Sequence, residues 1–368
     1  MKLITTTAVL MATTTSAALA GGVDRSYQST AILFEEGNYV EVSVGTVNPS
    51  ISGVGTAYSP TPGGASGDMA PAYTQFSGAY KHSFSDKLDA AIIIDQPFGA
   101  NVAYPSAPYF ATGSVAELNT AAITGILKYN INEGYSVFGG LRYETLEATA
   151  NIPFVSSYDA VGSKNGAFGY LVGAAYERPD IALRVALTYN SKISHDLETT
   201  ESSAALGADN TSVTEVNSPQ SVNLEFQSGV AEDTLVFGSI RWVNWSDYDI
   251  SPTDYSTLTG GGSLVSYEDD VFTYTLGVGR KFSDSWSGAI SAGYEKSNGG
   301  YQSNLNPTDG QFSVGLGGTY TRENMKITAG VKYVMIGDAE TTLGLGGPAS
   351  SFQDNNALAF GLRIGFAL

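Results

Sequence analysis

Residues 356–368 read NALAFGLRIGFAL, and in them Leu358, Phe360, Leu362, Ile364, Phe366 and Leu368 alternate with Ala359, Gly361, Arg363, Gly365 and Ala367. A period of two sustained over this length is a β-strand with one apolar face and one small or polar face. The pattern recurs upstream. Leu183, Val185, Leu187 and Tyr189 alternate with Arg184, Ala186, Thr188 and Asn190; Phe272, Tyr274, Leu276 and Val278 alternate with threonine and glycine. Phe312, Val314, Leu316 and Tyr320, and Ile327, Val331, Tyr333 and Met335, repeat it. Alternation alone does not separate a soluble sandwich from a barrel that turns its apolar face to lipid.

The connections do separate them. Short polar turns stand at Ser85-Asp86-Lys87, Asn132-Glu133-Gly134, Arg178-Pro179-Asp180, Ala231-Glu232-Asp233, Ser283-Asp284-Ser285 and Arg322-Glu323-Asn324. Between them lie long stretches rich in Gly, Ser, Pro, Asn and Asp: 50–71, 151–165, 198–218, 251–267 and 342–354. Tight turns at one end and long loops at the other are the plan of an up-and-down transmembrane barrel. The runs between them give an all-β fold, an antiparallel barrel of about 14 strands, an even number as in bacterial barrels. Tyr80, Tyr129, Tyr135, Tyr143, Tyr176, Phe282, Trp286 and Tyr320 fall near strand ends, where amphipathic rings suit the headgroup level.

The beginning of the chain agrees with that destination. Residues 1–20, MKLITTTAVLMATTTSAALA, carry an early cation at Lys2, a short apolar run, and small residues at Ala18 and Ala20. This is the pattern of a cleaved secretory signal peptide. No later segment approaches the roughly 18 apolar residues of a helical span, which a strand-built membrane protein does not need. The protein has no cysteine, so disulfides and thiolate chemistry are excluded. Its formal net charge of −18 argues against nucleic acid as a partner. Forty-two per cent hydrophobic residues, with 22 Tyr and 43 Gly, separate it from acidic disordered chains. Residues 21–37, GGVDRSYQSTAILFEEG, precede the first convincing strand and carry the apolar patch Ala31-Ile32-Leu33-Phe34. They are expected to fold back as a plug, with residues 38–368 forming the barrel.

Several segments resemble the FadL/TodX-like transport proteins of Gram-negative outer membranes. They are Asp95-Gln96-Pro97-Phe98-Gly99, Leu183 to His195 (LRVALTYNSKISH), Ile240 to Asp247 (IRWVNWSD), Asn306 to Gly310 (NPTDG) and Tyr333 to Asp338 (YVMIGD). The resemblance covers most of the chain after residue 20. It implies a 14-stranded barrel, an N-terminal hatch within it, a third strand kinked so that the wall opens toward the membrane, and passive movement of apolar substrates. Pro97 and Gly99 are the kink candidates, since proline removes a ladder donor and glycine permits a bend; Pro97 ending the strand is the other reading. The Asn-Pro-Ala motif of many family hatches is absent from residues 21–37.

On the strand phases, Arg142, Arg184, Lys192, Arg241, Lys332 and Arg363 face the lumen, where a desolvated carboxylate would need a cation. Phe34, Phe98, Phe138 and Trp245 are candidates to line an apolar pocket. The run Ser194-His195-Asp196 is not a catalytic triad, because neighbours in a strand point to opposite faces. The sequence contains no G-x-S-x-G, H-E-x-x-H or phosphate loop, and no metal site or cofactor is expected. Asp249, Asp254, Glu268, Asp269 and Asp270 read as a solvated acidic surface rather than cation sites bridging lipopolysaccharide. The expected protein is a monomer in the outer membrane, in contact with its lipid and lipopolysaccharide, that carries fatty acids or similar hydrophobic compounds. A general porin and a loop-based adhesin or receptor are the alternatives.

Overall fold

The computed structural model describes residues 23–105 and 108–368; the expected signal peptide, with Gly21 and Gly22, lies outside the described residues. The expected periodicity forms fourteen strands. They are β1 (Tyr39–Ser50), β2 (Tyr73–Ser85), β3 (Leu88–Asp95 and Gly99–Ala103), β4 (Val115–Asn130), β5 (Tyr135–Ile152), β6 (Tyr158–Arg178) and β7 (Leu183–Asn190 and Ile193–Ser203). There follow β8 (Gly207–Ser218 and Ser221–Ala231), β9 (Thr234–Val243), β10 (Val271–Lys281), β11 (Trp286–Glu295), β12 (Gln311–Arg322), β13 (Met325–Ile336) and β14 (Asn356–Ala367). Each pairs antiparallel with its sequence neighbour, and β1 closes on β14 from Tyr39↔Ala367 to Ser50↔Asn356. Closure leaves no edge to satisfy inside hydrocarbon.

The wall is inverted relative to a soluble protein. Leu141, Phe168, Leu276, Ile290, Leu316 and Phe360 are exposed, while Lys81, Asp89, Arg142, Glu144, Arg184 and Arg241 are buried. In register, Tyr274, Tyr294, Phe312 and Met335 form one exposed row, and Trp286 and Tyr320 stack near the short turns at 4.9 Å between ring centroids. Eight residues separate Tyr274 from Phe282, about 27 Å along the strand. That matches a hydrocarbon band bounded by two aromatic girdles.

Two stretches expected as loops are strands. Residues 151–165 hold the ends of β5 and β6, and residues 198–218 hold the hairpin of β7 and β8. Their Thr, Ser and Asp content reads as loop, yet Ile193, His195, Leu197, Thr199 and Glu201 are buried while Ser194, Asp196, Glu198 and Thr200 are exposed. The alternation survives with polar residues outside because this hairpin stands above the hydrocarbon, in water. A second correction follows from the same strand. Lys192 is exposed rather than lumenal, because β7 is interrupted after Asn190 and the buried pair Asn190 and Ser191 shifts the inward phase by one residue.

Over the barrel mouth the loops form a cap with a core of its own. A small sheet of Gly53–Gly55, Tyr301–Gln302, Ala339–Thr342 and Pro348–Phe352 packs Phe352 against Ile51, Met69, Tyr104 and Tyr109. Between β9 and β10 the chain forms a short helix, Thr253–Thr259.

Candidate functional site

Residues 23–38 run through the barrel interior, and lumenal side chains hold them there. Asp24 meets Arg241 in a buried ion pair of 2.6 Å, each side chain 4% exposed. The same guanidinium donates to Asn223 Oδ1 at 2.7 Å, to Ser221 Oγ at 3.1 Å, and to the Tyr27 carbonyl and Gln28 Oε1 at 3.3 Å. Tyr27 and Gln28 have φ of 53° and 51°, a left-handed pair that costs roughly 1–2 kcal/mol per residue and persists because its surroundings hold it. Further along, the 3-10 turn Ala31–Phe34 buries Ile32 and Leu33 against Ala91, Ile126, Phe138, Leu171 and Ala186. Phe34 meets Phe138 edge to face at 6.2 Å, with Lys128 and Arg184 each 4.6 Å from its ring. Lys326 pairs with Glu35 at 2.7 Å, and Lys81 donates to the Glu35 carbonyl at 2.6 Å. The apolar patch that would be awkward in the periplasm is thus covered, and its acids meet lumenal cations.

The wall is discontinuous where this segment begins. β2 and β3 pair from Ser85↔Leu88 up to Gly78↔Ile94; beyond Asp95 the chain leaves the ladder, and Gly99–Ala103 pairs with β4 alone. Pro97 lies in the break. The donor and acceptor groups freed there are taken up by other parts of the chain. Gln96 Oε1 accepts from the Phe76 amide at 3.2 Å, the Pro97 carbonyl accepts from the Arg25 amide at 2.8 Å, and the Gly99 amide donates to the Val23 carbonyl at 2.8 Å. Arg25 closes the gap itself. Its guanidinium lies 4.3 Å from the Tyr73 ring centroid and donates to Asn101 Oδ1 at 2.6 Å. It rests on Gly99, where a Cβ would overlap it. A cleft of about 800 Å³ runs from Ser26, Ser29 and Ile32 to Ser43, Ser77 and Gln96 along this seam.

Above the segment lies an apolar chamber of about 660 Å³. Val23, Val102, Leu118, Leu197, Ile250, Leu264, Val265 and Tyr248 are among the residues that line it. No lysine or arginine among the described residues does so. Phe98, from the break in β3, and Trp245, at the end of β9, meet edge to face at 5.9 Å; Trp245 contacts Tyr248 and Tyr267 at 5.3 Å each. Of this aromatic cluster, Tyr248 and Tyr267 line the chamber. Tyr248 and Tyr267 lie in the loop above the barrel, and burial holds both hydroxyls above the ordinary phenol range. The Tyr267 phenol and the Glu144 carboxylate add to the effect at Tyr248.

The other candidate residues separate from this chamber. Arg142 donates to Thr124 at 3.0 Å and Asn190 at 3.3 Å, and Arg241 is engaged by Asp24. Lys332 lines a polar cleft of about 930 Å³ on the far side of the barrel, together with Tyr27, Glu225, Arg241 and small residues of β10 to β13. Sequence reasoning missed Asp24, Arg25, Gln96 and Tyr248, since no local pattern distinguishes a residue that works through a partner about 20 to 220 positions away. His195 does not meet Ser194 or Asp196. Its Nε2 lies 3.3 Å from Glu144 Oε1, to which the Ser218 hydroxyl also donates. The serine therefore bonds the carboxylate rather than the imidazole, which is not the geometry of an activated nucleophile.

The comparisons agree with this architecture. A family model described as outer membrane protein transport protein (OMPP1/FadL/TodX) matches residues 3–365. A Pseudomonas aeruginosa FadL homologue superposes with a TM-score of 0.75 at 14% identity, covering 96% of each chain. The Pseudomonas putida toluene transporter TodX gives 0.65 at 13% identity, covering 96% of this chain and 97% of its own. The Ralstonia pickettii toluene transporter TbuX gives 0.63 at 11% identity, with the same coverages. No curated protein matches by sequence.

Proposed function

The chain belongs to the OMPP1/FadL/TodX family of Gram-negative outer-membrane transport proteins, channels for hydrophobic compounds rather than enzymes, and from that premise we propose how it carries its cargo and which cargo it favours. A hydrophobic molecule leaves the lipopolysaccharide layer for the apolar chamber beneath the loop cap. It passes Phe98 and Trp245 when residues 23–28 shift, and leaves either sideways through the seam between β2 and β3 or downward past the hatch. No step needs an energy source, because each transfer runs between apolar surroundings and is driven by the concentration gradient.

The observation that carries this reading is the position of the apolar chamber. It is bounded by the hatch at Val23 and by Ala100 and Val102 of the interrupted strand, so occupancy and wall opening share residues. Its lining favours uncharged molecules, since a carboxylate there would be desolvated with no cation among the described residues of the lining. Fatty acids are the second reading, supported by the polar cleft that holds Arg241 and Lys332. The test is uptake by cells lacking other such channels. Radiolabelled toluene and oleate are supplied separately, and conductance of the purified protein is measured in a planar bilayer. Toluene uptake above the empty-vector level, through a protein that is closed to ions, supports the first reading. Saturable oleate uptake abolished by Lys332→Ala supports the second. Large steady conductance of the intact protein would sink both and favour a porin.

A further inference from the structure

Directly below the apolar layer of the chamber lies a polar patch that neither the hatch nor the wall opening uses. Successive inward residues on β5 are Arg142, Glu144 and Leu146, and on β7 they are His195, Leu197 and Thr199. Leu197 lines the chamber, and Leu146 belongs to the same apolar cluster as Leu197, Trp245 and Tyr248. Glu144 and His195 therefore lie one inward step below the apolar layer. Both are fully buried, at 0% exposure. Glu144 Oε1 is occupied by Ser218 and His195, but Glu144 Oε2 and His195 Nδ1 have no hydrogen-bond partner among the described residues. The Tyr248 hydroxyl, on a residue 2% exposed that lines the chamber within the field of Glu144, has none either.

Unpaired polar atoms at this depth are costly, roughly 1–3 kcal/mol each and more for a charged group. They are retained where something else completes them. From this arrangement we infer that the chamber is a binding site for hydrophobic molecules carrying one hydroxyl. The hydroxyl donates to Glu144 Oε2 and accepts from the Tyr248 phenol, while the hydrocarbon body occupies the layer of Leu118, Leu197 and Val265. The inference rests on the transport reading and sharpens it. Alcohols and phenols are the favoured class, and a carboxylate is repelled by Glu144. A single hydroxyl on an apolar body suits the site, because its hydrogen bonds replace water without a net charge to bury.

The test compares p-cresol with toluene, which differ by one hydroxyl. Radiolabelled probe is equilibrated with the full-length protein in nanodiscs, and retention by empty nanodiscs is subtracted. The wild type is expected to hold p-cresol about tenfold more tightly than toluene, the ordinary worth of a hydrogen bond to a charged group. Glu144→Gln and Tyr248→Phe should each cut that preference to below roughly threefold. Tyr248 lies in a loop, so its variant carries the test if Glu144→Gln fails to insert. Equal wild-type affinities with both probes bound would overturn the hydroxyl site and leave the transport reading standing. A preference retained in both variants would overturn it too. Binding of neither probe would overturn the site and the chamber reading together.

Discussion

Two seams of this barrel are made of similar strands and satisfy their backbones differently. Between β13 and β14 the ladder runs without a shift from Met325↔Phe366 to Met335↔Asn356, with Val331, Tyr333, Leu358 and Phe360 facing outward. Between β2 and β3 it stops at Gly78↔Ile94. Above that point Gln96 and Arg25 take over from strand partners. In hydrocarbon an unsatisfied backbone group costs several kcal/mol, so a wall is either zipped or patched. The backbone of the zipped seam is satisfied by its strands alone, and the hatch reaches it only through the side-chain pair Lys326–Glu35 among the described residues. The patched seam depends on the hatch, because Val23 and Arg25 supply bonds to Gly99 and Pro97. Hatch position and wall integrity are therefore one equilibrium on this side of the barrel and two separate matters on the other.

The largest effect that would break this contrast is expected from Asp24→Ala. It leaves Arg241 buried without its counter-charge, a loss on the order of 3–5 kcal/mol to the seating of the hatch. Amide exchange of residues 23–34 should rise by two orders of magnitude or more, while exchange along β13 and β14 stays as it was. If both seams loosen together, they are not independent.

A charge on β12, the strand beside the zipped seam, tests the opposite side. Leu316→Arg places a cation on the lipid face between Ile290 and Val331 and should destabilise the whole barrel by about 2–4 kcal/mol, read from guanidinium unfolding in vesicles. Hatch exchange below the unfolding transition should not change. A smaller effect, about 1–3 kcal/mol and local, is expected from Gly99→Ala, whose methyl displaces the Arg25 guanidinium from the gap. Labelling of a cysteine introduced at Asn101 reports the opening; no gain in labelling over the Asn101→Cys parent would show that Arg25 is not what fills it. The smallest change, near 1 kcal/mol, belongs to Gln96→Ala, which frees only the Phe76 amide. It should raise exchange at Phe76 without altering the hatch.

Much of this was legible beforehand because a lipid-facing strand must alternate. The alternating runs at 183–190, 272–278, 312–320, 327–335 and 358–367 all form strands, in β7, β10, β12, β13 and β14. Errors arose where the environment along a strand changes. The upper β7–β8 hairpin is polar on its outer face and was read as a loop, and Lys192 was placed on the wrong face by a one-residue phase slip at Ser191. Among the site residues, Phe98 and Trp245 are brought together edge to face, and Phe138 and Arg184 gather around Phe34 of the hatch. Arg241 proved to be an anchor for Asp24, Tyr27 and Gln28, none of which the strand pattern singles out.

Periodicity, turn spacing and composition by themselves determined an antiparallel barrel, its strand count and its inside-out polarity, since each is a local consequence of a wall between lipid and water. Only the tertiary structure decided that Arg25 fills the gap beside Gly99, that Asp24 meets Arg241, and that His195 meets Glu144 below the apolar layer. Those partners lie far apart in the chain. Curvature, strand stagger and the path of the hatch bring them together, and no short-range pattern encodes distances across a lumen.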